Sequence, residues 1–549
     1  MVNWIKKNKK NIITGNIIFA WFSFMLFFFA PLEIYLADKD SYYFGGSEIV
    51  PFAFLFMICS IIGLDILNFF LIYVNEHLSK AFYTILFSFT LAIYVYGTYF
   101  VADYGVLDGT PIKWADHYGE IIFSWMLFVI IGVGVYVIAY RINRTKEKFD
   151  MFMRYISVCI TLIQVITLGT LFITKGLDKP EKYYSLVEGE YELSNEKNMI
   201  VLLLDTYDSA VFDELITEED YKNIFADFTY FPDTVGSYAG TDLALPQIIT
   251  GQGYQNDTEY GNYLTEAYSD SYFFNKLCAD NWDVGIYLDA TAPQGEVADR
   301  TRNVQKTTIT VSSHKRLATV MYRLVGFRYL PYPFKEICWF YPADELNSMK
   351  CTDDQHEEVF EEDNFLFYEG IEGLVTDCDK NAFRFYHLQG THIPFTITAD
   401  FQNTGTETSI REEARGMMVL IEKFLEKMKQ LGIYENSIIV IMADHGYYDL
   451  RSNPLFLVKG MNEMHEFRVD DTPISFFDLQ NAFSELLDGK TADEIFEREN
   501  SERVRLYYSY EKFRTMDLDS YSVPIKEYEV HGHARNIQKY YESGRVFTK

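Results

Sequence analysis

Apolar residues are spread very unevenly along the 549 residues of the chain. Before residue 175 they form five long runs, each with roughly the 20 residues that a helix needs to cross a bilayer. No run of comparable length follows. The pattern predicts a five-helix transmembrane domain over residues 1–174, with spans at Ile12–Leu36, Ile49–Val74, Ala81–Ala102, Ile121–Tyr140 and Tyr155–Thr174.

After residue 195 the pattern changes to short apolar runs that alternate with amphipathic stretches. This alternation is typical of a mostly parallel sheet covered by helices on both faces. We therefore predict an α/β catalytic domain over 196–500, a linker along the membrane surface at 175–195 and a small appendage at 501–549. The predicted strands are Met199–Leu204, Val284–Leu288, Phe383–Leu388, Ser437–Met442 and Leu455–Val458, and the clearest helix is Arg411–Leu431.

Basic residues lie on one side of the predicted membrane domain. Lys6, Lys7, Lys9 and Lys10 precede the first span, and a second basic group lies between the fourth and fifth spans, whereas the loops after the first and third spans are acidic. Because short basic loops remain in the cytoplasm, we expect a multi-pass cell-membrane protein with a cytoplasmic N-terminus and an extracytoplasmic α/β domain. The net charge of −30 argues against nucleic acid as a partner, since such binding needs a basic surface.

Acidic residues follow two of the predicted strands directly. Asp205 follows one very apolar run, and Asp444, His445 and Gly446 follow another. Ligands of an open α/β sheet collect where the carboxyl ends of its strands meet, and a carboxylate beside an imidazole is a compact pair of metal ligands. Asp205 taken alone could equally cap the next helix. The two segments together predict a metal site at this edge of the sheet.

Two histidines occur in the stretch "FYHLQGTHIPF". His392 lies in the loop just beyond a predicted strand, where it could contact a phosphoryl oxygen. His387 lies inside the strand, and a histidine there is more often a hydrogen-bonded core residue. We therefore count His392, and not His387, among the predicted site residues.

The order of Asp205, Thr241, "HLQGTHIPF" and "ADHG" resembles that of the alkaline phosphatase and sulfatase superfamily. An exterior domain behind five spans is similar to the lipoteichoic acid synthases and their relatives. In "SYAGTDLALPQIITG", Thr241 stands nine residues before Thr250 and ten before Gly251, which is the register of the sulfatase nucleophile. Threonine cannot become formylglycine, and positions 243 and 245 lack the sulfatase proline and arginine. The resemblance therefore favours the phosphotransferase branch, with a simple helix cap as the alternative for Thr241.

The resemblance also implies a cofactor and a set of ligands. Asp205, Thr241, Asp444 and His445 would hold one divalent metal ion, for which Mn²⁺ and Zn²⁺ are the first candidates and Mg²⁺ is possible. His392 would bind or protonate an oxygen on the phosphate side. The His and Trp of the synthases' headgroup cluster are missing from the stretch 287–303, which leaves Arg300 or Arg302 to replace them.

These implications lead to a specific functional hypothesis. The chain is expected to be a metal-dependent membrane phosphotransferase that moves a phospho-headgroup from a phospholipid through Thr241 to a cell-surface glycan, lipid or polymer. Phosphoglycerol from phosphatidylglycerol is the first choice and phosphoethanolamine the second. An extracytoplasmic phosphatase, phosphodiesterase or sulfatase-type hydrolase would use water as the acceptor. A non-catalytic lipid sensor is the alternative from a different class, but such a protein would be expected to have lost a metal ligand.

Overall fold

The structure is a computed structural model, and it describes residues 2–39, 42–101, 104, 112–142, 146–179, 181–288, 291–340, 342–352, 358–404, 407–496, 503–510 and 523–549. The chain divides into two compact units. The helical unit contains Met1–Pro180 and Thr308–His356, and the sheet unit contains Glu181–Thr307 and Glu357–Lys549. Helices and strands are numbered below in chain order.

The N-terminal part of the helical unit consists of long apolar helices. Five helices are long and apolar enough to cross a membrane, in agreement with the five predicted spans. A π-helical segment, Phe24–Phe29, joins the first two helices into one such span. The helices are α1 Val2–Ser23, α2 Ala30–Ala37, α3 Val50–Val74, α4 Glu76–Tyr99, α5 Tyr118–Ile142 and α6 Lys146–Lys175.

Residues 308–356 belong to the same unit, although the sequence pattern assigns them to the α/β domain. They form a short antiparallel strand pair and three helices, of which the first packs against α2, α3 and α4. The apolar face of an amphipathic helix predicts that this face is buried but not what buries it. The elements are β8 Ile309–Val311, α12 His314–Tyr329, α13 Phe334–Cys338, α14 Pro342–Asn347 and β9 Lys350–Thr352.

The sheet unit is built on a seven-stranded sheet in the order β14-β4-β13-β12-β3-β11-β6. Only β13 runs antiparallel to its neighbours among these strands, so the predicted mostly parallel sheet is confirmed. Every predicted strand is present within one residue at each end. The strands are β3 Asn198–Leu204, β4 Thr229–Tyr230, β6 Asp283–Tyr287, β11 Ala382–Leu388, β12 Ser437–Met442, β13 Phe456–Lys459 and β14 Arg468–Val469.

Helices cover both faces of this sheet. All seven residues of β3 are buried, and alternate residues enter two different hydrophobic cores because successive side chains of a strand point to opposite faces. The helix predicted at 411–431 is α16, and its apolar face lies in one of these cores. The helices are α7 Ser209–Leu215, α8 Glu219–Ile224, α9 Thr241–Thr250, α10 Tyr260–Asp270, α11 Tyr272–Ala279, α15 Asn364–Gly370, α16 Ile410–Gln430, α17 Leu479–Leu487 and α18 Ala492–Phe496.

The predicted linker at 175–195 contains regular structure, which corrects the expectation from its sequence. β1 Lys182–Ser185 pairs with β7 Val304–Thr307, and β2 Glu192–Ser194 pairs with β10 Val375–Cys378. Strands of three or four residues are too short to give a recognisable period.

The C-terminal appendage is a three-stranded antiparallel sheet. Its strands are β16 Arg505–Ser509, β17 Ile525–Val530 and β18 Tyr540–Phe547. The remaining short pair in this unit joins β5 Thr234–Val235 to β15 Ile474–Ser475.

Candidate metal-binding active site

The candidate site lies at the carboxyl ends of three adjacent parallel strands. β3 is at the centre of this group, with β11 on one side and β12 on the other. In the register of the sheet, Leu203 stands opposite both His387 and Met442. Asp205 follows β3 and Asp444 follows β12, so the sheet brings both acidic residues and His387 to the same edge.

Asp205, His387 and Asp444 form a buried cluster that could hold a metal ion. One potential ligand atom from each residue lies within 4.8 Å of the others. The predicted ligand His445 joins this group, since its Nε2 is 3.8 Å from Asp205 Oδ1 and 3.5 Å from Asp444 Oδ2. The structure therefore brings together three of the four predicted ligands and adds His387, which the sequence analysis placed in the core.

The unpaired atoms of this cluster fit a divalent cation. His387 Nε2 and Asp444 Oδ2 are buried and lack a hydrogen-bond partner among the described residues. Nδ1 of His445 is 2.8 Å from the carbonyl oxygen of Gly446, and the two atoms form a hydrogen bond when Nδ1 carries the proton. That tautomer leaves a lone pair on Nε2 facing two carboxylates, and only a cation or a proton makes this arrangement favourable.

His387 carries a second feature that is common in metal sites. Its Nδ1 is hydrogen-bonded to the carboxylate of Glu362, and metal-binding histidines usually donate their other N–H to such a group. Burial lowers the pKa of His387, but the charge and hydrogen bond of Glu362 outweigh it and raise the pKa to about 9. With this pKa the imidazole of His387 binds an extra proton at neutral pH, and a metal ion at Nε2 would have to displace a proton from that nitrogen. Glu362 lies 25 residues before His387, and no sequence motif marks the pair.

Thr206 links the two carboxylates. Its hydroxyl donates to Asp205 Oδ1 at 2.6 Å, and its backbone N–H donates to Asp444 Oδ1 at 3.1 Å. Its φ of +63° is unusual for a β-branched residue, and such backbone strain is concentrated at functional sites. Thr206 therefore fixes the relative orientation of both acidic side chains.

Burial and the neighbouring imidazoles have opposite effects on the pKa of Asp205. Burial by itself would raise the pKa of this carboxyl group. The surrounding imidazoles, led by His392, outweigh the burial and hold the pKa below its ordinary value. Asp205 is therefore ionised and available as a ligand at neutral pH.

His392, the predicted catalytic histidine, follows a tight turn that contacts β3. Thr391 N–H donates to the carbonyl oxygen of Asp205 at 2.9 Å. Gly390 has a φ of +60°, and a Cβ there would lie 2.4 Å from the backbone nitrogen of Asp205. Nδ1 of His392 is 2.6 Å from the carbonyl oxygen of Ile393, which leaves Nε2 to exchange a proton with a ligand.

We expect Gly390→Ala to be strongly destabilising. The added methyl group cannot fit without moving the backbone of Asp205, and overpacking of this kind costs about 1–3 kcal/mol or more in addition to the left-handed backbone. Gly489→Ala is the matched control, because Gly489 has a φ of +87° but nothing within 4 Å of its Cβ position. Thermal unfolding of both variants should give a clearly larger loss at residue 390, and equal losses would refute the steric argument.

The glycine of "ADHG" is required by a neighbouring carboxylate. A Cβ on Gly446 would lie 2.7 Å from Asp208 Oδ2. That oxygen accepts hydrogen bonds from the N–H groups of Tyr447 and Tyr448, and the other oxygen caps α7 by accepting from Ala210 N–H. Asp208 therefore holds the loop that follows Asp444 and His445.

Thr241 is the first residue of α9, and Gly240 occupies the N-cap position without any side-chain capping bond. The threonine hydroxyl accordingly does not serve as the cap, and it has no hydrogen bond within the part of the chain that the structure describes. A hydroxyl at the first turn of a helix lies in the positive end of the helix dipole, which also attracts phosphate.

Backbone hydrogen bonds connect the segment before Thr241 to the loop after His445. Gly236 N–H donates to the carbonyl oxygen of Ser452 at 2.9 Å. The first strand of the appendage and the residue after it hold the same segment, since Ala239 N–H donates to Tyr508 O in β16 at 3.0 Å and Tyr510 donates its hydroxyl to Gly240 O at 3.1 Å. The appendage therefore fixes where α9 begins.

Neither arginine proposed for headgroup binding lies in this cluster. Arg302 forms an ion pair with Asp283, the first residue of β6, and therefore lies at the amino end of the sheet. Arg300 donates to Asn275 Oδ1 at 2.9 Å on the surface. The suggestion that Arg302 contacts the headgroup is wrong, because the cluster is at the opposite ends of the strands. The suggestion for Arg300 stays a prediction.

A buried glutamate anchors the loop that follows His392. Glu413 is fully buried, and its Oε2 accepts a hydrogen bond from Ile397 N–H at 2.7 Å. Burial raises the pKa of Glu413 from 4.5 to about 7, and hydrogen bonds from backbone N–H groups oppose this only in part. The folded state therefore binds the proton more tightly than the unfolded state does.

This pKa predicts a pH-dependent stability. A raised pKa contributes stability that is fully present below pH 4.5 and is lost as the pH rises through about 7. Glu413→Gln removes this dependence, so the variant should gain about 1–3 kcal/mol relative to wild type between pH 4.5 and 8. Glu412→Gln, at the half-buried neighbouring position, is the control. Urea unfolding at pH 4.5 and at pH 8 measures the free energy of unfolding of each variant. An identical pH dependence in Glu413→Gln and wild type would contradict the prediction.

Comparison with known families assigns a class to this site. Residues 318–475 match the family model described as Sulfatase. This stretch contains β11 and β12 with His387, His392, Asp444 and His445. The match indicates an enzyme of the sulfatase-like superfamily, carried on a chain with candidate membrane helices.

Several solved structures are similar to this chain at low sequence identity. A protein in the alkaline phosphatase superfamily from Vibrio parahaemolyticus is 10% identical, with coverage of 67% of this chain and 81% of that chain and a TM-score of 0.35. The 2-O GAG sulfatase BT1596 is 8% identical, with 63% and 85% coverage and a TM-score of 0.38. Ps i-CgsB in complex with k-i-k-neocarrahexaose is 13% identical, with 62% and 84% coverage and a TM-score of 0.39. No curated protein matches the chain.

Proposed function

We propose that this protein is a metal-dependent membrane phosphotransferase. It takes a phospho-headgroup from a membrane phospholipid onto Thr241 and passes it to a glycan, lipid or polymer at the cell surface. Phosphoglycerol from phosphatidylglycerol is the first choice of group and phosphoethanolamine the second. The observation that carries the proposal is the buried cluster of Asp205, His387 and Asp444, with its unpaired atoms, on a chain with five candidate membrane spans.

The nucleophile distinguishes transfer from sulfate-ester hydrolysis. Thr241 occupies the register of the sulfatase nucleophile, and threonine has no route to formylglycine. Its hydroxyl is at the first turn of α9 and does not cap the helix. These two features favour direct attack on phosphorus by a hydroxyl group.

The residues of the site have separate roles in this proposal. Asp205 and Asp444, with His387 or His445, would hold a divalent cation, which would lower the pKa of a neighbouring hydroxyl and offset charge on a phosphoryl group. In the first step, Thr241 Oγ gives its proton to water and forms a bond to phosphorus, and the bond from phosphorus to the diacylglycerol oxygen breaks. That oxygen takes up a proton, for which His392 Nε2 is the donor.

The second step reverses the first with a different oxygen. The hydroxyl of the acceptor gives its proton to His392 Nε2 and forms its bond to phosphorus, the bond to Thr241 breaks, and the threonine recovers a proton from water. Two displacements allow donor and acceptor to use the site in turn, which suits a donor held in the membrane and a bulky acceptor.

The headgroup can be identified directly. Purified protein in detergent is incubated with labelled phosphatidylglycerol, phosphatidylethanolamine or an aryl sulfate ester, each with Mn²⁺, Zn²⁺ or Mg²⁺. We expect diacylglycerol from phosphatidylglycerol, with the label on an added acceptor. Release of free phosphoglycerol even with acceptor present would identify a hydrolase, and turnover of the sulfate ester alone would refute phosphotransfer.

We also propose that the sheet unit lies outside the cytoplasm, as the distribution of lysine and arginine favours. In a variant whose six cysteines are replaced by serine, a new cysteine at the exposed position Asn462 should react with a membrane-impermeant thiol reagent in intact cells. A cysteine at Lys10 should react only after the cells are opened. The reverse pattern would place the sheet unit in the cytoplasm and exclude a donor lipid in the outer leaflet.

A further inference from the structure

Residues 308–356, here called the insertion, contact one particular set of helix ends in the helical unit. Because consecutive spans run in opposite directions, the end of α2, the start of α3, the end of α4 and the start of α5 share one side of a membrane. The insertion contacts residues at or beside all four of these ends.

Two glutamates at these ends are paired with the insertion. Glu48, just before α3, accepts from the hydroxyl of Thr310 at 2.7 Å and lies 2.6 Å from His314 Nε2. Glu33, in the first turn of α2 and four residues before its end, accepts from Arg328 at 2.9 Å and from the hydroxyl of Tyr329 at 3.1 Å. A carboxylate at the boundary of a span is costly unless it is paired, and the hydrogen bonds to both glutamates and the ion pair of Glu33 with Arg328 offset this cost.

The third helix end is shaped to receive the insertion. A Cβ on Gly97, two residues before the end of α4, would lie 2.0 Å from the ring of Tyr329, so only glycine leaves room for that ring. Arg328 Nε donates to the carbonyl oxygen of Gly97 at 3.3 Å. At the start of α5, the ring of Trp114 packs against that of Tyr332 at a centroid distance of 5.6 Å.

One contact reaches further along the spans. The hydroxyl of Tyr322 donates to the carbonyl oxygen of Phe27 at 3.0 Å, and its ring packs against Phe27, Phe52 and Phe56. Phe27 precedes the end of α2 by ten residues, which is roughly 15 Å along a helix. The insertion therefore reaches into the apolar layer from the helix ends.

The other face of the insertion exposes apolar side chains. Phe334 and Ile337 are 49% and 72% exposed, and they lie three residues apart on α13, so they share one side of it. The adjoining ends of α4 and α5 also expose large apolar residues, with Tyr99 at 67% and Tyr118 at 66%. Aromatic residues are enriched at this level of membrane proteins.

The basic residues of the insertion are concentrated in α12. The whole insertion contains six Lys or Arg residues and five Asp or Glu residues, whereas α12 contains four Lys or Arg residues and no Asp or Glu, within a chain whose net charge is −30. Basic residues beside an apolar face are typical of segments that lie in the interface of a membrane with anionic headgroups.

We infer that residues 308–356 form a membrane-interface insertion, in which α13 places Phe334 and Ile337 among phospholipid chains. The exposed apolar surface formed by Phe334 and Ile337 continues the lipid-facing surface of α4 and α5. Lipid is the molecule that covers it. This inference does not depend on the proposed reaction.

The test uses the full chain reconstituted in vesicles of phosphatidylethanolamine and phosphatidylglycerol. p-Benzoylphenylalanine is introduced separately at Phe334, Ile337, Ile173 and Met464, and the illuminated protein is analysed by mass spectrometry. Ile173 is 88% exposed on the candidate span α6 and is the positive control, whereas Met464 is 77% exposed in the sheet unit and is the negative control.

We expect phospholipid adducts at residues 334 and 337 in a yield similar to that at 173 and several-fold above that at 464. Adducts at 173 without adducts at 334 and 337 would overturn the inference. Crosslinks from 334 or 337 to a second copy of the chain or to another protein, in place of lipid, would equally overturn it, because the face would then be a protein interface. All four positions are exposed, so the changes should leave the fold intact.

Discussion

Replacing Thr241 with alanine is expected to abolish the release of diacylglycerol from the lipid donor. If Thr241 Oγ is the attacking atom, its removal leaves no group that can form the covalent intermediate, and loss of a nucleophile lowers turnover by roughly a thousandfold or more. Thr241→Ser keeps the hydroxyl and should retain measurable turnover. Mass spectrometry of wild-type protein incubated with donor and no acceptor should find the headgroup mass on the peptide that contains residue 241.

The control for this experiment is Thr265→Ala in the neighbouring helix α10. Thr265 is also a partly buried threonine, and its hydroxyl only bonds the carbonyl oxygen of Gly261 at 3.0 Å. This variant should turn over at the wild-type rate. Wild-type turnover in Thr241→Ala would eliminate the nucleophile and the two-step mechanism, while leaving the metal cluster and the membrane-interface insertion unaffected.

Asp444→Asn is expected to remove most of the bound metal while preserving the fold. Asparagine keeps the oxygen that accepts from Thr206 and His445 N–H groups, so the local backbone retains its hydrogen bonds. What is lost is the negative charge beside the unpaired Oδ2. We expect a loss of affinity larger than the roughly 10- to 100-fold typical of residues that only support a ligand.

Two measurements that are independent of activity check this result. Elemental analysis gives the metal content of the purified chain, and a chelator should lower the unfolding temperature of wild type but not of Asp444→Asn. Asp449→Asn, at an exposed position of the same loop, should behave like wild type. A full metal content in Asp444→Asn would refute the site.

The same measurements assign the imidazole ligand. His387 and His445 both present Nε2 to the carboxylates, at 3.9 Å and 3.8 Å from Asp205 oxygens. His387→Ala and His445→Ala are compared for metal content. The histidine whose removal lowers the content is a ligand, and a loss in both variants would make both of them ligands.

Much of the fold could be predicted from the sequence because many strands are continuous apolar runs and the clearest helix has a single apolar face. β12 was bounded without error, since Ser437–Met442 is a continuous apolar run between polar turns. α16 was bounded within one residue by its single apolar face. The insertion was not predicted, because α12 has the same amphipathic pattern whether membrane helices or a sheet cover it.

The site residues that could be predicted from the sequence are those with metal-binding side chains directly after an apolar run. Asp205 and Asp444 are acidic residues directly after apolar strands, and both are in the cluster. His387 was assigned to the core because it lies inside a predicted strand. Every residue of β11 is buried in the structure, so periodicity does not reveal which side chain reaches the edge of the sheet. The partnership of His387 with Glu362 is purely tertiary and leaves no trace in sequence spacing.

The ion pair between Glu33 and Arg328 also has a consequence for biogenesis. The two residues are 295 positions apart in the chain. At a synthesis rate of roughly 5–20 residues per second, the first span leaves the ribosome on the order of 15–60 seconds before its counter-charge exists. Glu33 is therefore at the membrane without its ion-pair partner during this time. The helical unit cannot complete its folding until translation has passed residue 328.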